Sequence, residues 1–307
     1  RSHTGRDKVA FCGYHGWHDW YLAANLGTEN ALGEHLISGL SPAGVPKQLV
    51  GTAFPFRYNH IEELQQIVEQ HGSELACITM EPIRRDQPQS GFLEGVRALA
   101  DEIGAVLIID EISAGFRMNT GGIHLELGIK PDVAVFSKAL GNGYPIAAII
   151  GKNKVMDAAQ TTFISSTMWT ERIGPTAALA TIQKHRRFDV GQHLIAIGEQ
   201  IQHGWKQCAL NQGLKIHVGG IPPLSYFVFE YENALAMKTL FVQLMLERGF
   251  LASTIFYSMF SHQTHHVEQY LNAVDESFGM LIEFERNGTI EKQLQGNVVS
   301  SGFKRLT

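Results

Sequence analysis

Two charged side chains, Asp110 and Lys138, each stand at the end of an apolar run, which makes them the best-placed candidates for chemistry in this sequence. Val106-Leu107-Ile108-Ile109 stops abruptly at Asp110-Glu111. Asp132-Val133-Ala134-Val135-Phe136 stops at Ser137-Lys138, ahead of the loop Gly141-Asn142-Gly143. Short unbroken apolar runs of this kind read as strands buried on both faces, and in open α/β sheets the carboxyl ends of such strands line the ligand crevice. An aspartate and a lysine brought to one edge could be a plain ion pair. The sharper reading is a site for pyridoxal 5'-phosphate (PLP). There the lysine ε-amine forms a Schiff base with the cofactor aldehyde, and the aspartate pairs with the pyridinium nitrogen. An adjacent negative charge favours the protonated ring, and the protonated ring is the better electron sink.

Other residues with chemical potential cluster around two further strand ends. Val9-Ala10-Phe11-Cys12-Gly13 runs into Tyr14-His15-Gly16-Trp17-His18-Asp19, where an aromatic ring is available to stack on a planar ligand. His15, His18 and Asp19 raise a metal alternative, but the HxxHD spacing lacks the glutamate base of HExxH and no second ligand cluster accompanies it, so no metal is expected. Trp17 and Trp20 read as core packing. Leu75-Ala76-Cys77-Ile78-Thr79-Met80 ends in Glu81-Pro82 and is followed by Arg84 and Arg85. These two guanidiniums could fork a substrate carboxylate or phosphate, or form a solvated basic turn. His262, His265 and His266 gather near a helix start and are left without a role.

These ends are positioned by alternating strands and helices. Strand 9–13 is followed by a Gly- and Pro-rich loop over 25–47, a strand at 49–51, and a helix from Asn59 with Asn59 as its N-cap. Strand 75–80, a helix over 91–103 closed by Gly104, the two central strands and a strand at 146–151 complete the series. The alternation predicts a mostly parallel sheet covered on both faces. From Pro175 the sequence is helical to about Leu210, with a break at Phe188-Asp189. Strands near 214–218, 224–230 and 250–257 follow, with helices over 233–248 and after Thr264. The expected organisation is a large domain over 1–185 and a smaller α+β domain over 186–307.

The run DEISAGFR from Asp110 to Arg117, a Gly-Gly, a Pro-Asp, and then SKALGNGYP resembles the class III aminotransferases of fold type I, closest to glutamate-1-semialdehyde 2,1-aminomutase-like proteins. The resemblance implies PLP as cofactor, Lys138 as its Schiff-base anchor and Asp110 on the ring nitrogen. It also implies Tyr14 and His15 as the family's aromatic-His-Gly motif and Glu81 as the glutamate of its Glu-Pro strand end. Tyr14 and Ile112 would then lie against opposite faces of the ring. Thr170, five residues before Pro175, matches the threonine given to the cofactor phosphate of the partner subunit, with Thr167 the second choice. The active site would be shared across a homodimer. The implied activity is amino-group transfer on a small amino or oxo substrate, between separate donor and acceptor or within one molecule as in the aminomutase. Three departures stand out. Asp86 occupies the place of an asparagine that contacts the cofactor 3-hydroxyl, Glu171-Arg172 replace small residues, and the family's phosphate-binding Gly-Ser/Thr turn has no counterpart in these 307 residues. The resemblance thus covers the later two-thirds or three-quarters of the family pattern. A non-catalytic or incomplete protein that binds or assembles is the alternative.

Composition limits the rest. The formal charge is −5, which argues against a nucleic-acid surface. No apolar run approaches the roughly 20 residues of a membrane span, and no signal peptide opens the sequence. Cys12, Cys77 and Cys208 show no paired spacing and read as reduced thiols, consistent with a cytoplasmic setting.

Overall fold

A computed structural model describes residues 1–35, 38–83, 86–165 and 168–300. The chain divides after Phe188 into two compact units.

The first unit is an α/β sandwich around a six-stranded sheet in the order β2-β1-β3-β4-β5-β6. Its strands are β1 (Lys8–Cys12), β2 (Ala53–Pro55), β3 (Leu75–Met80), β4 (Val106–Asp110), β5 (Val133–Phe136) and β6 (Ala148–Gly151). The first five run parallel and β6 is antiparallel to β5. Alternation along β1 shows how both faces are covered. Ala10 and Cys12 join a core with Leu64 of α3 (Ile61–His71) and with Phe92, Val96 and Ala100 of α4 (Phe92–Ile103). Val9 and Phe11 point the other way, toward Tyr21, Ala23 and Leu32. The α1 (Asp19–Leu22) and α2 (Ala24–Gly27) turns lie within this second core. Each fully buried Leu, Ile or Phe contributes roughly 1.5–3 kcal/mol, and a sheet so enclosed needs the near-continuous apolar strands that the sequence displays. Gly104 ends α4 with φ 65° in the left-handed region that favours glycine.

Two local expectations are corrected. The segment 49–51 is not a strand: Lys47–Leu49 forms a 3₁₀ turn, Thr52 Oγ1 donates to the Leu49 carbonyl, and Gly51 turns at φ 73°, so the strand begins at Ala53. Asn59 is not the cap of α3, which starts at Ile61. Asn59 sits at φ 65°, donates to the Gln87 carbonyl and accepts from Gln89 N, so it ties down the stretch after β3. Trp17 is also not a core residue, being about half exposed, whereas Trp20 packs on the second core.

Beyond β6 come α5 (Asn153–Met156) and α6 (Ile173–Arg187). Asp189, at φ 47°, breaks the helical run. The second unit holds α7 (Val190–Gln212), β7 (Ile216–Gly219), β8 (Leu224–Phe229), α8 (Ala234–Glu247), β9 (Ile255–Tyr257) and α9 (Thr264–Arg286). Its antiparallel sheet β7-β8-β9 packs its aromatic residues on α7, α8 and α9, with Trp205, Phe227, Phe241 and Phe278 fully enclosed. Among the described residues no helix is long and apolar enough to cross a membrane.

Candidate active site

Because β1, β3, β4 and β5 are parallel neighbours, the residues that follow them emerge at one edge. The chain leaves β1 for β2 on one side and returns to β3 on the other, and such a switch in strand order opens a crevice at the carboxyl ends. Tyr14 and His15 follow β1, Glu81 follows β3, Asp110 closes β4 and Lys138 follows β5. The register pairs Asp110 with Val135, and Glu111 N donates to the Val135 carbonyl at 2.8 Å, which locks the two central strand ends together.

Asp110 is buried and bonded on both oxygens: Oδ1 accepts Ile112 N at 3.0 Å and Oδ2 lies 2.9 Å from His15 Nδ1. His15 Nε2 lies 3.0 Å from the Cys12 carbonyl. The imidazole thus bridges β1 to β4 and fixes the carboxylate's orientation. Tyr14 stands on an aromatic nest, 5.5 Å from Trp17 and 5.9 Å from Tyr21, whose hydroxyl donates to the Gly13 carbonyl. Partial burial lifts the Tyr14 phenol above its ordinary value, against a lowering bond with Trp17. Glu81 Oε2 lies 3.5 Å from Tyr14 N.

Lys138 has φ 45°, a conformation that costs a side-chain-bearing residue about 1–2 kcal/mol and collects at functional sites. The loop around it is tightly fixed. Ser137 Oγ donates to the Ile146 carbonyl at 2.8 Å, and a Cβ added at Gly141 would meet the Tyr144 carbonyl oxygen at 2.1 Å. Lys138 is exposed, and its Nζ donates to Ser113 Oγ at 2.7 Å. Among the described residues no carboxylate pairs with this amine, so Asp110 and Lys138 are not an ion pair with each other.

Ile112 is half-buried, immediately beyond Asp110. Thr170 lies exposed in the turn before α6, whose first amides are capped by the Glu171 carboxylate through Ile173 N and Gly174 N. Arg84 and Arg85 lie outside the described residues, as does Thr167. Sequence reasoning missed three groups: Ser113 on the lysine, and the buried His124 and His185, which anchor the excursion between β4 and β5. Their partners lie 13 to 69 positions away, and no periodic pattern connects them.

The donor set fits PLP. A buried carboxylate, oriented by a histidine, suits a protonated ring nitrogen. A lysine amine held, among the described residues, by a neutral hydroxyl alone is available to an aldehyde. Tyr14 follows β1 and Ile112 follows β4, so an aromatic and an apolar side chain stand at the same sheet edge as that carboxylate.

Known proteins resemble this chain in sequence and in fold. A family profile described as "Aminotransferase class-III" matches residues 3–275. A 3-aminobutyryl-CoA aminotransferase of Cloacimonas acidaminovorans (strain Evry) is 30% identical over 298 residues, covering 95% of this chain and 66% of its own length. A 2'-deamino-2'-hydroxyneamine transaminase of Streptomyces kanamyceticus is 29% identical over 280 residues, covering 91% of this chain and 66% of its own length. The chain therefore spans 66% of the length of these relatives. In the solved structures, the FumI protein of Sphingopyxis sp. MTA144, in its PLP internal aldimine form, superposes with a TM-score of 0.83 at 24% identity over 93% of this chain and 67% of that one. This likeness establishes the fold as type I of the PLP transaminases.

Proposed function

The chain belongs to the class III aminotransferase family, and from that premise we propose that it takes part in PLP-dependent amino-group transfer on a small amino or oxo substrate. The observation that carries the reading is the pairing at one sheet edge of a buried, histidine-oriented Asp110 with an amine, Lys138, that no carboxylate neutralises. Bound there, the cofactor supplies an aldehyde carbon for amines and a protonated ring that accepts electrons.

Asp110 holds a proton on the heterocycle by offering a fixed negative charge, and His15 keeps that carboxylate from turning away. Lys138 Nζ is the nucleophile. With the cofactor bound, its flexible stem would let the amine move a proton between neighbouring atoms of the substrate. Tyr14 and Ile112 would lie against the ring, and burial raises the Tyr14 phenol, so it would stack as a neutral surface. Glu81 stands beside Tyr14, accepting its backbone N–H. Both curated relatives are named for transfer between a donor and an acceptor, which favours that mode over intramolecular exchange.

A second copy of the chain completes the proposal. Phe163, Met168, Trp169, Ile173 and Leu179 form an exposed apolar stretch around Thr170, with Phe163 97% exposed. So many large apolar side chains exposed near one another in sequence favour an interface, and a homodimer would cover them and bring Thr170 toward the partner's cofactor phosphate.

The test is to add PLP, reduce with borohydride and map the peptides. A reduced adduct on Lys138 is expected. No adduct on this lysine overturns the reading in favour of a non-catalytic binding or assembly role. Light scattering checks the dimer, with a mass of two chains expected.

A further inference from the structure

Ser113 has no place in the chemistry assigned so far, yet its hydroxyl touches the amine on which that chemistry depends, 2.7 Å from Lys138 Nζ. Among the described residues this is the amine's single hydrogen bond. The two residues lie 25 positions apart, on the excursions that follow neighbouring strands, so the contact is built by the fold.

The hydroxyl is rigidly mounted. The residue before it, Ile112, donates its N–H to Asp110 Oδ1. The Ser113 carbonyl accepts Arg117 Nε, and Gly115 N donates to the Glu111 carbonyl at 2.7 Å. Glu111, fully buried, accepts both the backbone N–H of His124 at 2.9 Å and lies 2.7 Å from its Nδ1, closing the excursion at its far end. His185 of α6 holds the middle, 2.8 Å from Thr120 Oγ1 and 3.1 Å from the Phe116 carbonyl. The lysine, by contrast, is a flexible four-carbon stem ending in an exposed ammonium. A fixed acceptor therefore meets a mobile donor.

We infer that Ser113 is the positioning residue for the Lys138 amine, holding Nζ at the site mouth whenever that nitrogen is not engaged by a ligand. The choice of a neutral hydroxyl matters. A carboxylate at this point would add an opposite charge that favours the ammonium, whereas a hydroxyl orients the nitrogen without adding one. The inference rests on reading Lys138 as the working amine, and the experiment separates the two.

The parent chain, Ser113→Ala and Ser113→Thr are each labelled with trace acetic anhydride across the alkaline range, without cofactor, and the modification of every lysine is read by peptide mass spectrometry. Lys130 and Lys154 serve as internal references. The other ionisable groups at this edge, Tyr14, His15, Glu81, Asp110 and Arg117, are common to all three proteins and cancel in the comparison. In Ser113→Ala, Lys138 is expected to label about threefold faster than in the parent, because the hydrogen bond that holds its amine is gone. The references do not move, and Ser113→Thr restores the parent profile. A parallel PLP and borohydride experiment maps the adduct. Superposable Lys138 profiles in parent and Ser113→Ala, with the adduct still on Lys138, overturn the role of Ser113 alone. Absence of the adduct from Lys138 in the parent overturns the proposed function and this inference with it.

Discussion

At the amino end of the large sheet, Asp132 uses both carboxylate oxygens: Oδ2 accepts Leu107 N and Arg97 Nη1, and Oδ1 accepts Lys152 Nζ. Nearby, Arg6 Nη1 reaches the carbonyls of Gly72, Leu75 and Ile103, and Lys8 pairs with Glu74. At the carboxyl end, Lys138 has a hydroxyl in place of a counter-ion and a backbone held at φ 45°. The same sheet thus carries charge in two conditions. Opposite charges at the amino end are satisfied by one another and join β4, β5, β6 and α4. Those at the carboxyl end are oriented but kept apart, which leaves bonding capacity for a ligand. Stability and chemistry are assigned to opposite ends of one element.

The comparison predicts that substitutions at the carboxyl end change chemistry far more than stability. Lys138→Ala should have the largest effect, with turnover falling by more than about a thousandfold and the borohydride-reducible adduct lost. Its melting temperature should stay level, because alanine keeps the Cβ and with it the same backbone at φ 45°. Asp110→Asn is next. The amide keeps the size of the side chain and much of its bonding to Ile112 N, but offers no negative charge to a ring proton. Turnover should fall about a hundredfold while the adduct on Lys138 still forms. A loss of the adduct in Asp110→Asn would mean that the carboxylate is needed for binding rather than for the electron sink.

The carboxyl end was legible in the sequence because its residues are punctuation. Asp110, Lys138 and Glu81 each terminate an apolar run, and strand ends in a parallel sheet converge by topology alone. The clasp that orients them was not legible. Glu111 looked like a second strand-end carboxylate, and only the fold shows it turned inward to His124. Ser113 is a small polar residue in a polar loop, with no periodicity to give it away. The amino end was equally hidden: Arg6 gains its three carbonyls from segments 66 to 97 positions distant. The errors at 49–51 and Asn59 have a common cause. In both places a backbone turn with positive φ, at Gly51 and at Asn59 itself, overrode the local pattern. Asn59 was drawn from capping its own helix to bonding the strand-end stretch at Gln87 and Gln89.

Asp132→Ala tests the other side of the comparison. It strands the Leu107 N–H inside the sheet and leaves Arg97 without one of its carboxylates, which should cost about 2–4 kcal/mol, read as a fall in the urea midpoint. Turnover per folded molecule should be unchanged. If turnover fell in step with stability, the two ends of the sheet would be coupled and the division of labour would fail.

The smallest effect concerns pH. Burial works to raise the Asp132 carboxyl, but the bonds from Lys152, the Leu107 backbone and Arg97 outweigh it and hold the group below its ordinary value near 3.8. A carboxyl lowered in the folded state contributes stability that is complete above its unfolded value and is lost as pH falls through the folded one. Urea midpoints of the parent and of Asp132→Asn, taken at falling pH, should therefore differ by a steady amount above about 3.8 and converge only as pH falls below it. The asparagine keeps the side-chain oxygen for Leu107 N but cannot change charge, so its own acid dependence should be shallower. Among the described residues Lys138 has no carboxylate partner, and the corresponding pair, parent against Lys138→Ala, should show no such convergence. A matching convergence there would place a counter-ion on the lysine and remove the distinction between the two ends.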